Sequence, residues 1–145
     1  MNFCGVIAVW DTDGAFFGFL QKALPQLPFC RAELAPPGRV ALLVLAPEAG
    51  PPVDLPPCRA LLIPGHRANF AGQLEADWAV SYGLSPKNTL TLSAWNPTTA
   101  SLTLQRELTT LPGVTLSPQD FVIKHRTTTP LTLLGAAGTG LVWGV

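Results

Sequence analysis

Hydrophobic and polar positions along the chain fall into three kinds of stretch. The first is the short, unbroken apolar run. Val6 to Trp10, Arg39-Val-Ala-Leu-Leu-Val-Leu-Ala-Pro47 and Arg59-Ala-Leu-Leu-Ile-Pro64 show no alternation, which is the pattern of strands buried on both faces of a parallel sheet. Trp78 to Gly83 reads as a fourth strand. The second kind repeats at helical spacing. Phe16, Phe17, Phe19, Leu20 and Leu24 recur through Ala15 to Leu24, with Gln21 and Lys22 on the opposite side and Pro25 as the stop. Arg67 to Ala76 holds Phe70 and Leu74 four apart and predicts a short helix. The third kind alternates strictly: Thr89 to Trp95 and Ser101 to Gln105, separated by Asn96 to Ala100, predict a β-hairpin with one wet face.

Turn signals divide the rest. Leu111-Pro-Gly113 marks a turn, Val114 to Leu116 and Phe121 to Ile123 are short strand candidates, and Ser117 to Asp120 is a turn or a helix start. Leu131 to Val145 is apolar with four glycines, and periodicity alone leaves it as either a helix or a final strand. Between the second and third apolar runs, Pro47 to Pro57 carries five prolines in eleven residues. No helix forms there, so the link is an extended loop, and parallel strands on either side lack the usual crossover helix. The expected architecture is α/β: a Rossmann-like three-layer domain with a mixed sheet, parallel core strands and a C-terminal antiparallel hairpin. Residues 1–145 form a single domain in this reading, with a candidate internal boundary near Ser85.

Composition narrows the function classes. Of 145 residues, 48% are hydrophobic and only 12% charged, so disorder is excluded. Nine Lys plus Arg balance nine Asp plus Glu without a run of either sign. No electrostatic footprint for nucleic acid or anionic lipid results. A neutral apolar domain tends instead to self-associate, which predicts a homo-oligomer or a protein partner. Leu131 to Val145 is too short for a bilayer span. The start, Met1-Asn2-Phe3-Cys4-Gly5, lacks a basic signal-peptide region, and the apolar run breaks at Asp11, so cytoplasmic residence is expected. Cys4, Cys30 and Cys58 share no metal-type spacing and read as structural thiols of a reducing compartment.

In open α/β sheets the ligand crevice lies beyond the carboxyl ends of the parallel strands. Four stretches meet that rule: Asp11 to Gly14, the loop from Pro47, Pro64 to Arg67, and Gly83 to Asn88. Asp11-Thr-Asp-Gly14 after a buried strand resembles the first motif of the haloacid dehalogenase-like phosphatases. The resemblance implies Asp11 as nucleophile, Asp13 as acid/base and a magnesium ion held by carboxylates, with Ser81 and Lys87 as the later motif residues. The carboxylates from Glu75 onward, Glu75, Asp77, Glu107 and Asp120, do not follow apolar strands as that family requires. Read from the residues alone, Asp11 and Asp13 form an Asx turn and cap the following helix.

Trp78 to Asn88 (WAVSYGLSPKN) resembles the end of the central domain in the Mur-type peptidoglycan amino-acid ligases, where a strand closing in Tyr-Gly precedes an antiparallel hairpin. The glycine-rich phosphate loop of those ligases is absent from the chain, so ATP-driven ligation is not implied. From the residues, Gly83 and Pro86 make a turn with Lys87 and Asn88 at its tip, or Ser85, Lys87, Asn88 and Arg67 bind a carboxylate or phosphate. His66 is the first candidate for proton transfer; His125 sits in the basic Lys124-His-Arg126. Neither has ligands at zinc spacing, and no metal site is expected. Gly135-Ala-Ala-Gly-Thr-Gly140 lacks the helix and acidic residue of a dinucleotide fingerprint and reads as small residues that let a helix pack closely.

No cofactor is indicated. The leading expectation is a non-catalytic domain acting by self-association or docking in a larger assembly. The alternative is a small-anion or nucleotide-phosphate binder using Arg67, Ser85, Lys87 and Asn88, Mg-dependent and phosphatase-like through Asp11 and Asp13.

Overall fold

The computed structural model describes residues 4–126 and 128–145; Met1 to Phe3, the Cys4 side chain and Thr127 lie outside that description. The strands are β1 (Cys4–Trp10), β2 (Phe29–Arg31), β3 (Val40–Leu45), β4 (Cys58–Pro64), β5 (Ala76–Tyr82), β6 (Leu90–Trp95), β7 (Thr99–Leu104), β8 (Leu108–Thr109), β9 (Thr115–Leu116) and β10 (Gln119–Lys124). The α-helices are α1 (Ala15–Ala23) and α2 (Pro130–Trp143). Eight strands form one sheet in the order β10-β7-β6-β5-β4-β3-β1-β2, while β8 and β9 pair separately. From β2 to β6 the pairing is parallel, and β6, β7 and β10 run antiparallel. The parallel and antiparallel parts meet at one register pair, Tyr82 with Leu90.

The unbroken apolar runs became the interior strands for the reason their pattern implies. Every residue of β3 is buried, because one face packs on the α-helices and the other on the segments of the opposite side. On the first face Ile7, Leu42, Val44 and Leu62 meet Phe16 and Leu20 of α1 and Leu134 of α2. On the second, Leu43, Leu45, Leu61 and Ile63 meet Phe70 and Ala32. Each such leucine contributes about 1.5–3 kcal/mol by leaving water. The domain is therefore a three-layer α/β structure with a mixed sheet, and the β3 to β4 connection carries no helix.

The C-terminal stretch is a helix. Thr129 accepts from the Thr132 N–H at 3.4 Å, Pro130 occupies the first turn, and Gly144 ends it at φ 97°. Its glycines allow close approach: a Cβ on Gly135 would lie 2.7 Å from the Phe16 ring, and one on Gly138 3.1 Å from Leu62. Among the described residues no helix is long and apolar enough to cross a membrane.

Two local expectations need correction, and one strand of the large sheet was not anticipated. The helix expected over Arg67 to Ala76 is a 3₁₀ segment, Gly65–Gln73, interrupted at Arg67 (φ −113°, ψ 17°); it has no side-chain cap, and a glycine at each end of so short a run does not sustain an α-helix. Gln119 and Asp120, read as part of a turn or a helix start, already belong to β10, where pairing with Leu104 and Thr103 overrides their weak strand preference. Strand β2 is a new element, since three residues are too few to show a period.

Candidate functional site

The order β2-β1-β3-β4-β5 reverses direction between β1 and β3, so the switch point of the sheet lies where the loops after those two strands diverge. A hollow of about 440 Å³ occupies that point, with Asp11, Asp13, Phe16, Pro47, Glu48 and Leu131 in its lining. A second hollow of about 370 Å³ adjoins it through Leu84 and Leu131 and reaches Gly65, His66, Ser85, Lys87 and Asn88. Together they form one crevice along the carboxyl ends of β1, β3, β4 and β5.

The crevice is held rigidly by polar contacts to the proline-rich loop. Trp10 Nε1 donates to the Gly50 carbonyl at 2.9 Å, and the Gly50 N–H donates to Thr12 Oγ1 at 3.0 Å. His66 Nε2 donates to the Pro47 carbonyl at 2.8 Å. Beneath them the buried Tyr82 hydroxyl donates to the Leu45 carbonyl at 2.7 Å. Burial pushes the Tyr82 phenol well above its ordinary value, and the negative charges of Asp11 and Glu48 add to that.

Both aspartates of the Asp11 to Gly14 loop cap α1. Asp11 Oδ2 accepts from the Phe17 N–H and Asp13 Oδ1 from the Ala15 N–H, each at 2.9 Å. Gly14, at φ 82°, supplies the left-handed turn that lets both reach back. Glu48, in the loop after β3, lines the same hollow, whereas Glu75, Asp77 and Asp120 do not join them. Asp77 pairs with Arg39, and Glu75 lies beside it at the start of β5, at the opposite end of the strand from the crevice. Asp120 sits on β10, where it accepts from Thr103. Among the described residues no group of three or more His, Cys, Asp or Glu could hold a metal ion.

At the other end of the crevice Ser85, Lys87 and Asn88 shape the turn after β5. Ser85 Oγ accepts from the Lys87 N–H, and Asn88 Nδ2 donates to the Ser85 carbonyl. Asn88 is 5% exposed and its amide fills the gap between Gly65 and Gly83. Ser81 Oγ accepts from the Thr89 N–H below the turn. Arg67 lines neither hollow; its guanidinium stacks over Phe70 at 5.7 Å. Thus Asp11, Asp13, His66, Ser85, Lys87 and Asn88 share one rim, and Arg67 does not. Glu48, Leu84 and the start of α2 also line the crevice; the Thr129-Pro130 cap signal points to that helix start.

A separate apolar groove runs along α2 on the helical side of β10. A hollow of about 460 Å³ is lined by Leu24, Phe121, Ile123, Ala137, Leu141 and Val145. It continues past Ile123 to Lys124, His125 and Arg126. His125 stacks on Trp95, with ring centres 4.1 Å apart, and donates from Nε2 to the Asn96 carbonyl at 2.8 Å. Cys58 is fully buried with its Sγ 3.6 Å from the Glu75 carbonyl, and burial raises its thiol from 9.0 to about 12. No protein family, curated protein or solved structure matches this chain.

Proposed function

We propose that this chain is a non-catalytic α/β domain that acts by association, as a homo-oligomer. The observation that supports this is the apolar strip beside the β10 edge. Phe121, Ile123, Ala137 and Leu141 are only half buried there and Val145 is 63% exposed, while Val122, on the other face of the same edge strand, is 75% exposed. Monomeric proteins rarely leave such a strip contiguous and open. Net charge is zero, so no long-range repulsion keeps copies apart. Cytoplasmic residence belongs to the same proposal, because the buried Cys58 thiol suits a reducing compartment. Light scattering coupled to size exclusion tests it: a mass that rises with concentration toward a multiple of 15.4 kDa is expected, and a constant monomer mass contradicts it.

The crevice supports a second reading, a small-ligand site at the sheet's switch point. Its carboxylates at one end and Lys87 at the other suit a ligand carrying both a cationic or metal-bound part and an anionic part, such as a magnesium-bound nucleotide phosphate. Thermal-shift titration with nucleotides, sugar phosphates and Mg²⁺ separates the two readings. Stabilisation lost in Asp11→Asn or Lys87→Ala favours the ligand site, and no shift with any of them removes it.

A further inference from the structure

The interaction surface can be specified to the residue. β10 is the last strand of the sheet, and the opposite edge, β2, is three residues long and turns at once into the 3₁₀ segment Ala32–Leu34. β10 is thus the long open edge. Its unpaired backbone groups follow from its pairing with β7. The His125 N–H donates to the Thr98 carbonyl at 2.9 Å in the same register that sets Ile123 opposite Ala100 and Phe121 opposite Leu102. In an antiparallel ladder, bonded and non-bonded pairs alternate. The odd-numbered residues therefore bond to β7, and the N–H and C=O groups of Asp120, Val122 and Lys124 point out along the open edge.

The same three side chains are exposed and, by strand alternation, stand on the opposite face from Phe121 and Ile123, whose side chains line the apolar groove; Val122 and Lys124 reach its rim as part of the same strand. Charge runs symmetrically about the centre: Asp120 lies two residues before Val122 and Lys124 two after it. We infer that β10 pairs antiparallel with β10 of a second copy, about a two-fold axis at Val122. This rests on the association reading and names its partner and register. In that register Val122 faces Val122, each Asp120 faces a Lys124, and each Phe121 faces an Ile123 across the groove side. All three outward backbone positions exchange hydrogen bonds, and the contact is isologous, so it closes as a dimer.

Other registers match less. An axis at Phe121 sets Asp120 against Val122 and Lys124 against Pro118. An axis at Ile123 keeps Asp120 against Arg126 but sets Val122 against Lys124 and runs beyond the strand. Edge strands that resist pairing carry charges that repel or obstruct a copy; here the two charges are self-complementary instead.

Charge reversal in the full chain tests the register. Asp120→Lys and Lys124→Asp each create two like-charge pairs, and each is expected to weaken the dimer about tenfold in sedimentation equilibrium. The double variant restores the opposite-sign pairs and is expected to recover most of the loss, which a mere folding defect at Asp120 would not do. Val122→Cys is expected to give a disulfide-linked dimer under mild oxidation that wild type does not, since bonded strand pairs lie about 5.5 Å apart at Cα. A dimer that persists with both single reversals unchanged overturns the register and leaves the association reading standing. A wild-type chain monomeric at every concentration overturns both.

Discussion

The Tyr82 hydroxyl donates to the Leu45 carbonyl across 2.7 Å, joining the carboxyl ends of β5 and β3 although β4 runs between them. The bond lies under the crevice and ties its two ends to one frame. Tyr82→Phe leaves the carbonyl in a dry site without its donor, and a loss of about 1–3 kcal/mol in chemical denaturation is expected. An unchanged midpoint would show that the carbonyl finds another donor.

Tyr82 and Cys58 also set the response to alkali. Burial raises the Cys58 thiol to about 12 from 9.0 and raises the Tyr82 phenol as well. Both folded-state values exceed the unfolded ones, so the native state holds the neutral forms. Their stabilising contribution is full below about pH 9 and is lost as pH climbs toward 12. The denaturation midpoint is expected to fall through that window, and less steeply in Cys58→Ala. A midpoint flat from about pH 8 to about pH 11 would contradict it.

Two glycine substitutions should act in opposite directions. Gly18, inside α1, has nothing within 4 Å of the point where a Cβ would stand, so Gly18→Ala gains about 0.5–1 kcal/mol from reduced unfolded-state entropy. In α2 the added methyl of Gly135→Ala meets Phe16 at 2.7 Å and Tyr82 at 3.3 Å. A net loss of about 1–3 kcal/mol is expected there from overpacking. Thermal denaturation of the two variants gives the comparison, and like signs would contradict the close helix packing.

Asn88 predicts coupling across the crevice turn. A methyl on Gly65 would fall inside the Asn88 amide, and one on Gly83 would lie 2.7 Å from its Nδ2. Gly65→Ala and Asn88→Ala should each destabilise, while the double variant should cost less than their sum because the cleared amide leaves room for the methyl. Additive losses would place the strain of Gly65→Ala elsewhere.

Much of the frame was legible in the chain because burial on both faces writes an unmistakable pattern. The runs before Pro47 and Pro64 became β3 and β4, and the alternation through Thr89 to Gln105 became the β6–β7 hairpin. The crevice followed, since its position depends only on strand direction. The switch point did not, because it turns on β2, and Phe29–Arg31 is too short to carry a period. Glu48 lies in the loop from Pro47 that strand direction already put at the crevice, but the start of α2 reached it through tertiary packing, which no local spacing records. The open edge was hidden for the same reason: that β10 ends the sheet depends on strand order, while the Asp120, Val122, Lys124 pattern gains meaning only once that edge is known.

Amide hydrogen exchange at Asp120, Val122 and Lys124 tests the edge pairing most directly. At concentrations where the chain associates, all three amides are expected to exchange slowly, and on dilution to speed up together, while the β7-bonded amides of Phe121 and Ile123 stay protected. Fast exchange at the three outward amides at every concentration would contradict pairing through β10.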